Sequence, residues 1–135
     1  MRGEAAMQEE RAGVLSVSAV MRNSVRNPQG EDLGKIEDLA IDLDAGRIAY
    51  AVISFGGFLG LGEKHFAIPW EALRIDPHEH AVILDIPKER LQSAPGFERG
   101  TRPATTDREW LRSVYTYYGY RPYWEHPRSE EHTSE

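Results

Sequence analysis

A few groups of residues have types and spacings that invite a chemical reading. Gly57 and Gly62 stand as far apart as the outer glycines of a phosphate-cradling loop. Such a loop needs Lys and then Ser or Thr directly after the second glycine, with a helix N-terminus beyond it to face the anion. Here Glu63 comes first, Lys64 is displaced by one, and the pattern that follows is that of a strand. Asp76, His78 and His80 form the cluster that resembles a set of metal ligands. Zinc draws on three or four convergent ligands, however, and the polar tip of a hairpin accounts for these residues without metal. Asp38, Asp42 and Asp44 lack the ordered Asp-x-Asp-x-Asp-Gly arrangement of a calcium loop. Ser16, Ser18 and Ser24 sit in no Gly-x-Ser-x-Gly elbow. No catalytic residue, metal ligand or cofactor site is expected, and the chain is expected not to be an enzyme.

Composition narrows the classes further. With 135 residues, 40% hydrophobic and 28% charged, the chain is the size and balance of one globular domain. No apolar run is long enough to span a bilayer. The apolar stretch 13–21 is short, and Glu9 and Glu10 precede it where a secretory signal carries positive charge, so a cytoplasmic location is expected. The absence of cysteine excludes disulfides, cysteine nucleophiles and thiolate metal sites. A formal charge of −6 argues against direct nucleic-acid binding, which needs a basic face to neutralise phosphates. Residues 1–13 are polar, aperiodic and expected to form a disordered leader. Residues 128–135, Arg-Ser-Glu-Glu-His-Thr-Ser-Glu, are what the opening bases of a common sequencing-library adapter encode, and are expected to be foreign to the protein.

The elements that must hold any site read as a mainly β domain over residues 14–98. A short strand at 24–26 meets the turn Asn27-Pro28-Gln29-Gly30 and a longer strand at 33–43. In that strand Leu39, Ile41 and Leu43 alternate on one face while Ile36 falls out of phase, which predicts a β-bulge near Glu37 and Asp38. Asp44-Ala45-Gly46 predicts a hairpin turn, and 47–55 the returning strand. Phe66 and Ile68 mark another strand, and 74–76 pairs with 81–86 across a second hairpin. Five to six short, mostly antiparallel strands with tight turns predict a small β-barrel.

The strand 47–55 is apolar on both faces, with Ile48, Tyr50 and Val52 on one side and Ala49, Ala51, Ile53 and Phe55 on the other. A strand buried on one face alternates with polar residues instead. Either the C-terminal part of the chain covers the second face, or a second subunit does. Residues 99–127 form a linker, a helix and an aromatic extension. Thr106-Asp107-Arg108-Glu109 predicts a capping box; Trp110, Leu111, Val114, Tyr115 and Tyr118 recur at helical spacing, and Gly119 supplies a left-handed stop. Every tyrosine except Tyr50 lies between 115 and 123. Phe55, Phe58, Leu59, Leu61, Tyr118, Tyr123 and Trp124 are the candidate interface residues, and a homodimer is the expected closed assembly.

The densest signal is the run in which Gly56, Gly57, Gly60 and Gly62 alternate with Phe55, Phe58, Leu59 and Leu61, leading to Phe66-Ala67-Ile68-Pro69-Trp70. Gly56, Gly57, Gly60, Gly62, Pro69 and Trp70 are expected to act as a structural loop. With Asn27-Pro28-Gln29-Gly30-Glu31-Asp32-Leu33-Gly34 and Gly46-Arg47-Ile48-Ala49-Tyr50, this run resembles the PRC-barrel family. That family includes the barrel domain of the photosynthetic reaction-centre H subunit and of a ribosome maturation factor. The resemblance implies a small β-barrel with a binding role and no catalysis: an interaction or adaptor module, expected to self-associate. It also implies, as an alternative, an accessory factor for a photosynthetic or electron-transfer complex or for ribosome maturation, whose partner is another protein or a membrane complex. A third possibility is a small ligand held at the glycine-rich run. One departure stands out: a glycine usual before the first strand is Arg22 here.

Overall fold

The computed structural model describes residues 14–56, 64–76, 78–98, 100–104 and 107–125. The expected leader 1–13, the segment 128–135, Thr106, and Gly57, Phe58, Leu59, Gly60, Leu61 and Gly62 lie outside them.

A short helix, α1 (Val17–Val20), leads into β1 (Ser24–Arg26), β2 (Asp32–Asp42), β3 (Arg47–Phe55) and β4 (Lys64–Pro69). A 3₁₀ turn (Trp70–Ala72) connects to β5 (Leu73–Asp76), followed by β6 (Ala81–Leu84), α2 (Lys88–Gln92) and β7 (Gly96–Glu98). Helix α3 (Arg108–Tyr117) and a 3₁₀ turn (Tyr123–Glu125) complete the described chain. The strands form one 7-stranded sheet in the order β5-β6-β1-β2-β3-β4-β7. All neighbours are antiparallel except β1 and β6.

Two features depart from the sequence expectation of a closed barrel with five to six strands. The additional strand is β7, three residues long and directly after Pro95, too brief for any periodicity to show. It lies against β4, where a side chain on Gly96 would meet the Phe66 ring at 2.8 Å; only glycine permits that approach. The second departure is closure: β5 and β7 are the sheet's edges and do not pair with each other. The sheet is nonetheless curled. Val25, Ile36, Ile53, Phe66 and Val82, from β1, β2, β3, β4 and β6, share one inner core with Leu91 of α2.

The bulge expected in β2 is present. Ile36 faces Ile53 and Asp38 faces Val52, leaving Glu37 as the extra residue, so Ile36 and Leu39 both turn inward. A second irregularity follows between Ala40 and Ile41. Beyond it Ile41 and Leu43 do not join Leu39 in the core; they are 61% and 88% exposed. Gly46 closes the hairpin at φ 68°, and Gly30 the earlier turn at φ 88°.

The two apolar faces of β3 have separate explanations. Ala51 and Ile53 belong to the inner core, while Tyr50 and Val52 form an outer core with Ala67 of β4 and Leu111, Val114 and Tyr115 of α3. The chain itself therefore covers the outer face. Asp107 caps α3 by accepting from the Trp110 N–H at 2.9 Å. The helix starts one residue later than a Thr106 capping box predicts, because an aspartate carboxylate is as good an N-cap acceptor as a threonine hydroxyl. At the other end the N–H groups of Gly119 and Tyr120 reach the carbonyls of Thr116 and Tyr115, a Schellman closure with Gly119 at φ 83°.

Candidate functional site: the polar half of the outer sheet face

Strand parity divides the outer face of the sheet in two. Toward one end its positions are Tyr50, Val52 and Ala67, which α3 covers. Toward the other, a row of facing positions crosses four strands: Ser24 opposite Lys35, Lys35 opposite Ser54, and Ser54 opposite His65. The same face carries Arg26 on β1 and Asp32 on β2, which also face each other.

This polar half forms a cleft of about 720 Å³. Its floor is Ser54, only 6% exposed, whose hydroxyl donates to Glu37 at 3.1 Å. Arg22, Arg26 and Lys35 bring positive charge to it, and Phe55 and Gly56 form one end. Gly34 also lines it, at φ 110°; a Cβ there would meet the Ser54 carbonyl oxygen at 2.0 Å. Glycine at that position is what lets β2 and β3 close beneath the cleft. Arg22 stands at φ 69°, a left-handed backbone that suits glycine, and its N–H donates to the Ile36 carbonyl at 2.9 Å. The entry to β1 thus keeps the glycine conformation while carrying a cationic side chain.

The remaining polar groups act as tethers. Asn27, buried in the first turn, donates to Glu31 at 2.7 Å and to the Ile86 carbonyl at 3.0 Å, and Glu31 accepts from the Lys88 N–H. The Asn27 amide holds the Glu31 carboxyl below its ordinary range, helped by that N–H. Asp42 accepts from the Tyr123 hydroxyl and from Arg108. The Tyr123 bond is the main cause of Asp42's lowered pKa, whereas burial, with Asp42 close by, pushes Tyr123 up to about 12. Arg102 bonds Asp38 and Tyr50, fixing the segment before α3 onto the sheet. These partners are 59, 81 and 64 residues apart in the chain, so no local pattern announces them.

Of the candidate loop residues, Gly56 has φ 86°, Pro69 is buried opposite Tyr50, and Trp70 is half-buried on the inner core. Of the candidate interface residues, Phe55 packs on the inner core, and Tyr118, Tyr123 and Trp124 pack on the outer core of the same chain. The latter three lie within the fold, since α3 brings them onto β2 and β3. Asp76 accepts from the His78 and Glu79 N–H groups and so shapes its hairpin turn. Among the described residues no group of three His, Cys, Asp or Glu side chains is placed to hold a metal, and no helix is long and apolar enough to cross a membrane.

The family model for the PRC-barrel domain matches residues 13–91, more than half of the chain. The chain belongs to the PRC-barrel family. No curated protein matches it. The matched PRC-barrel region contains the whole polar cleft, from Arg22 to Gly56. It ends before β7 and α3, so the helix that covers the outer apolar half is an addition to the shared domain. The cleft itself could have been found from the sequence: Ser24, Arg26 and Lys35 occupy the outward parity of strands whose inward residues are apolar.

Proposed function

We propose that this PRC-barrel chain is a non-enzymatic interaction module that receives a partner protein on the polar half of its outer sheet face. The observation that carries the reading is the division of that face. Among the described residues, one half is closed by α3 and its aromatic extension, and the other is left as a cleft with polar walls, Ser54 at its floor and Gly34 beside it. The test is a photocrosslinking side chain introduced at Ser24, on the cleft, and separately at Thr116, on the exposed side of α3. A discrete adduct formed in cells from Ser24 alone supports the reading. Identical adducts from both sites, or adducts from Thr116 only, would overturn it.

A second reading, self-association, is favoured by Ile41 and Leu43, exposed at the rim of a smaller cleft of about 430 Å³ between the β2–β3 hairpin and α3. A reciprocal exchange of these residues would give the two-fold contact that most homodimers use. Light scattering decides it: a mass near one chain, unchanged on dilution and unaffected by Leu43→Glu, removes the dimer.

A further inference from the structure

We infer that the cleft takes an acidic, extended segment of the partner protein, an inference that rests on the reading of this face as the binding surface. The charges lining the cleft are engaged unequally. Its carboxylates already have donors from the fold: Glu37 accepts from the Ser54 hydroxyl at 3.1 Å, and Asp32 accepts from the Gly34 N–H at 3.0 Å. Its cations are held loosely. The Arg22 side chain is 73% exposed and meets Glu37 only at 3.9 Å; that of Arg26, 39% exposed, meets Glu79, 65% exposed, at 3.7 Å. Lys35 is exposed and makes no ion pair among the described residues. Exposed pairs of that length contribute little, so exchanging them for a partner's carboxylates costs the fold almost nothing.

The geometry suits an extended chain. Ser24 and Arg26 point outward from β1 two residues apart, a separation of about 7 Å that matches alternate side chains of an extended peptide. Lys35 lies across from Ser24, and the Ser24 hydroxyl supplies a neutral donor between the cations. The rest of the chain sharpens the preference. With a net −6 overall, a long polyanion such as a nucleic acid is repelled outside the cleft, while a short acidic segment within about one Debye length, roughly 10 Å, meets chiefly the local cations.

The experiment titrates the full chain into a fluorescein-labelled oligoglutamate, an oligolysine of equal length and a single-stranded oligonucleotide, reading anisotropy at low and high salt. The oligoglutamate is expected to bind at low salt, to weaken as salt rises, and to weaken about tenfold or more with Lys35→Glu, which replaces an attraction with a repulsion. Arg22→Gly, which keeps the backbone geometry, weakens it in the same direction; Arg121→Glu, exposed on the extension beyond α3, leaves it unchanged. No binding of oligoglutamate, equal loss with Lys35→Glu and Arg121→Glu, or tighter binding of the oligolysine or the oligonucleotide overturns the inference. So does self-association of the chain that Lys35→Glu abolishes, which would make a second copy the occupant. If the oligoglutamate fails while the Ser24 crosslink persists, the acidic occupant is wrong and the binding face stands. If the Ser24 crosslink fails, the face itself is wrong.

Discussion

Tyr115 offers the sharpest test of how the extension is fastened to the barrel. Its ring is fully buried in the outer core, against Tyr123 and Trp124 at centroid separations of 5.9 and 5.7 Å. Its hydroxyl donates to the Ala49 carbonyl at 2.6 Å, next to the irregularity where β3 leaves register with β2. Burial raises the hydroxyl's pKa well above the ordinary tyrosine range, so it remains a donor at any practical pH. Tyr115→Phe removes the donor and leaves the ring, so no cavity of consequence forms. What is lost is one buried hydrogen bond, together with the desolvation of a carbonyl left without that partner. The cost should be about 1–2 kcal/mol. At roughly 3–5 °C per kcal/mol for a domain of this size, the melting temperature should fall by about 3–10 °C. Urea unfolding followed through tryptophan fluorescence gives the free energy directly, with an unchanged slope showing that the same surface is exposed. Oligoglutamate binding should be unaffected, because the cleft lies on the other half of the face. A loss under about 0.3 kcal/mol would mean that the hydroxyl is solvated and α3 is not docked as described. A loss above about 4 kcal/mol would mean that the ring had left its site, as a cavity-forming change does.

Other positions give independent checks. Gly34→Ala should destabilise the fold by about 3 kcal/mol or more, since the new methyl meets the Ser54 backbone oxygen at 2.0 Å and the residue keeps φ 110°; an unchanged urea midpoint would refute the close approach of β2 and β3. Arg22→Gly should be neutral or stabilising by up to about 1 kcal/mol, because relief of the left-handed backbone offsets glycine's greater flexibility when unfolded. A clear loss of stability on that change would show that Arg22 contributes through its side chain. Asp42→Asn should reduce stability at neutral pH, and the gap from the parent chain should close in acid. A carboxyl whose pKa is lowered in the folded state stabilises fully above its unfolded value, near 4, and loses that contribution as pH falls through its lower folded value. A gap that persists unchanged well below pH 4 would remove the charge of Asp42 from the account.

Local chemistry made much of this legible. The bulge at Glu37 follows from the phase of Ile36 against Leu39, the hairpin from Gly46, and the end of α3 from Gly119. Each is a statement about neighbours a few residues apart. The two-sided strand was legible as a question: Tyr50 and Val52 needed a cover, and only the tertiary path of α3 supplies it. Ile41 and Leu43 misled because alternation alone places them with Leu39, whereas the second irregularity carries the strand end past the core. The tethers were invisible for another reason. Asn27 to Ile86, Asp38 to Arg102 and Asp42 to Tyr123 join residues whose pairing depends on the whole topology.

Those tethers also explain why the division of the outer face is stable. Each fixes a later segment to the sheet: Asn27 and Glu31 hold the start of α2, within the shared domain, Arg102 the approach to α3, and Asp42 the 3₁₀ turn after it. Arg47 reinforces the last by lying over the Tyr123 ring at 4.0 Å while pairing with Glu71 at 3.1 Å. None of the three draws on the cations of the cleft. Charge within the chain is therefore apportioned: Arg102 and Arg108 neutralise carboxylates that fasten the extension, Arg47 lies over its Tyr123 ring, and Arg22, Arg26 and Lys35 take no part in that clamp. A substitution in the first set should change stability and leave the salt dependence of binding intact, and one in the second should do the reverse. Arg102→Gln and Lys35→Gln, measured side by side for melting temperature and oligoglutamate affinity, separate the two. If both variants moved both quantities together, the cleft and the clamp would be one device.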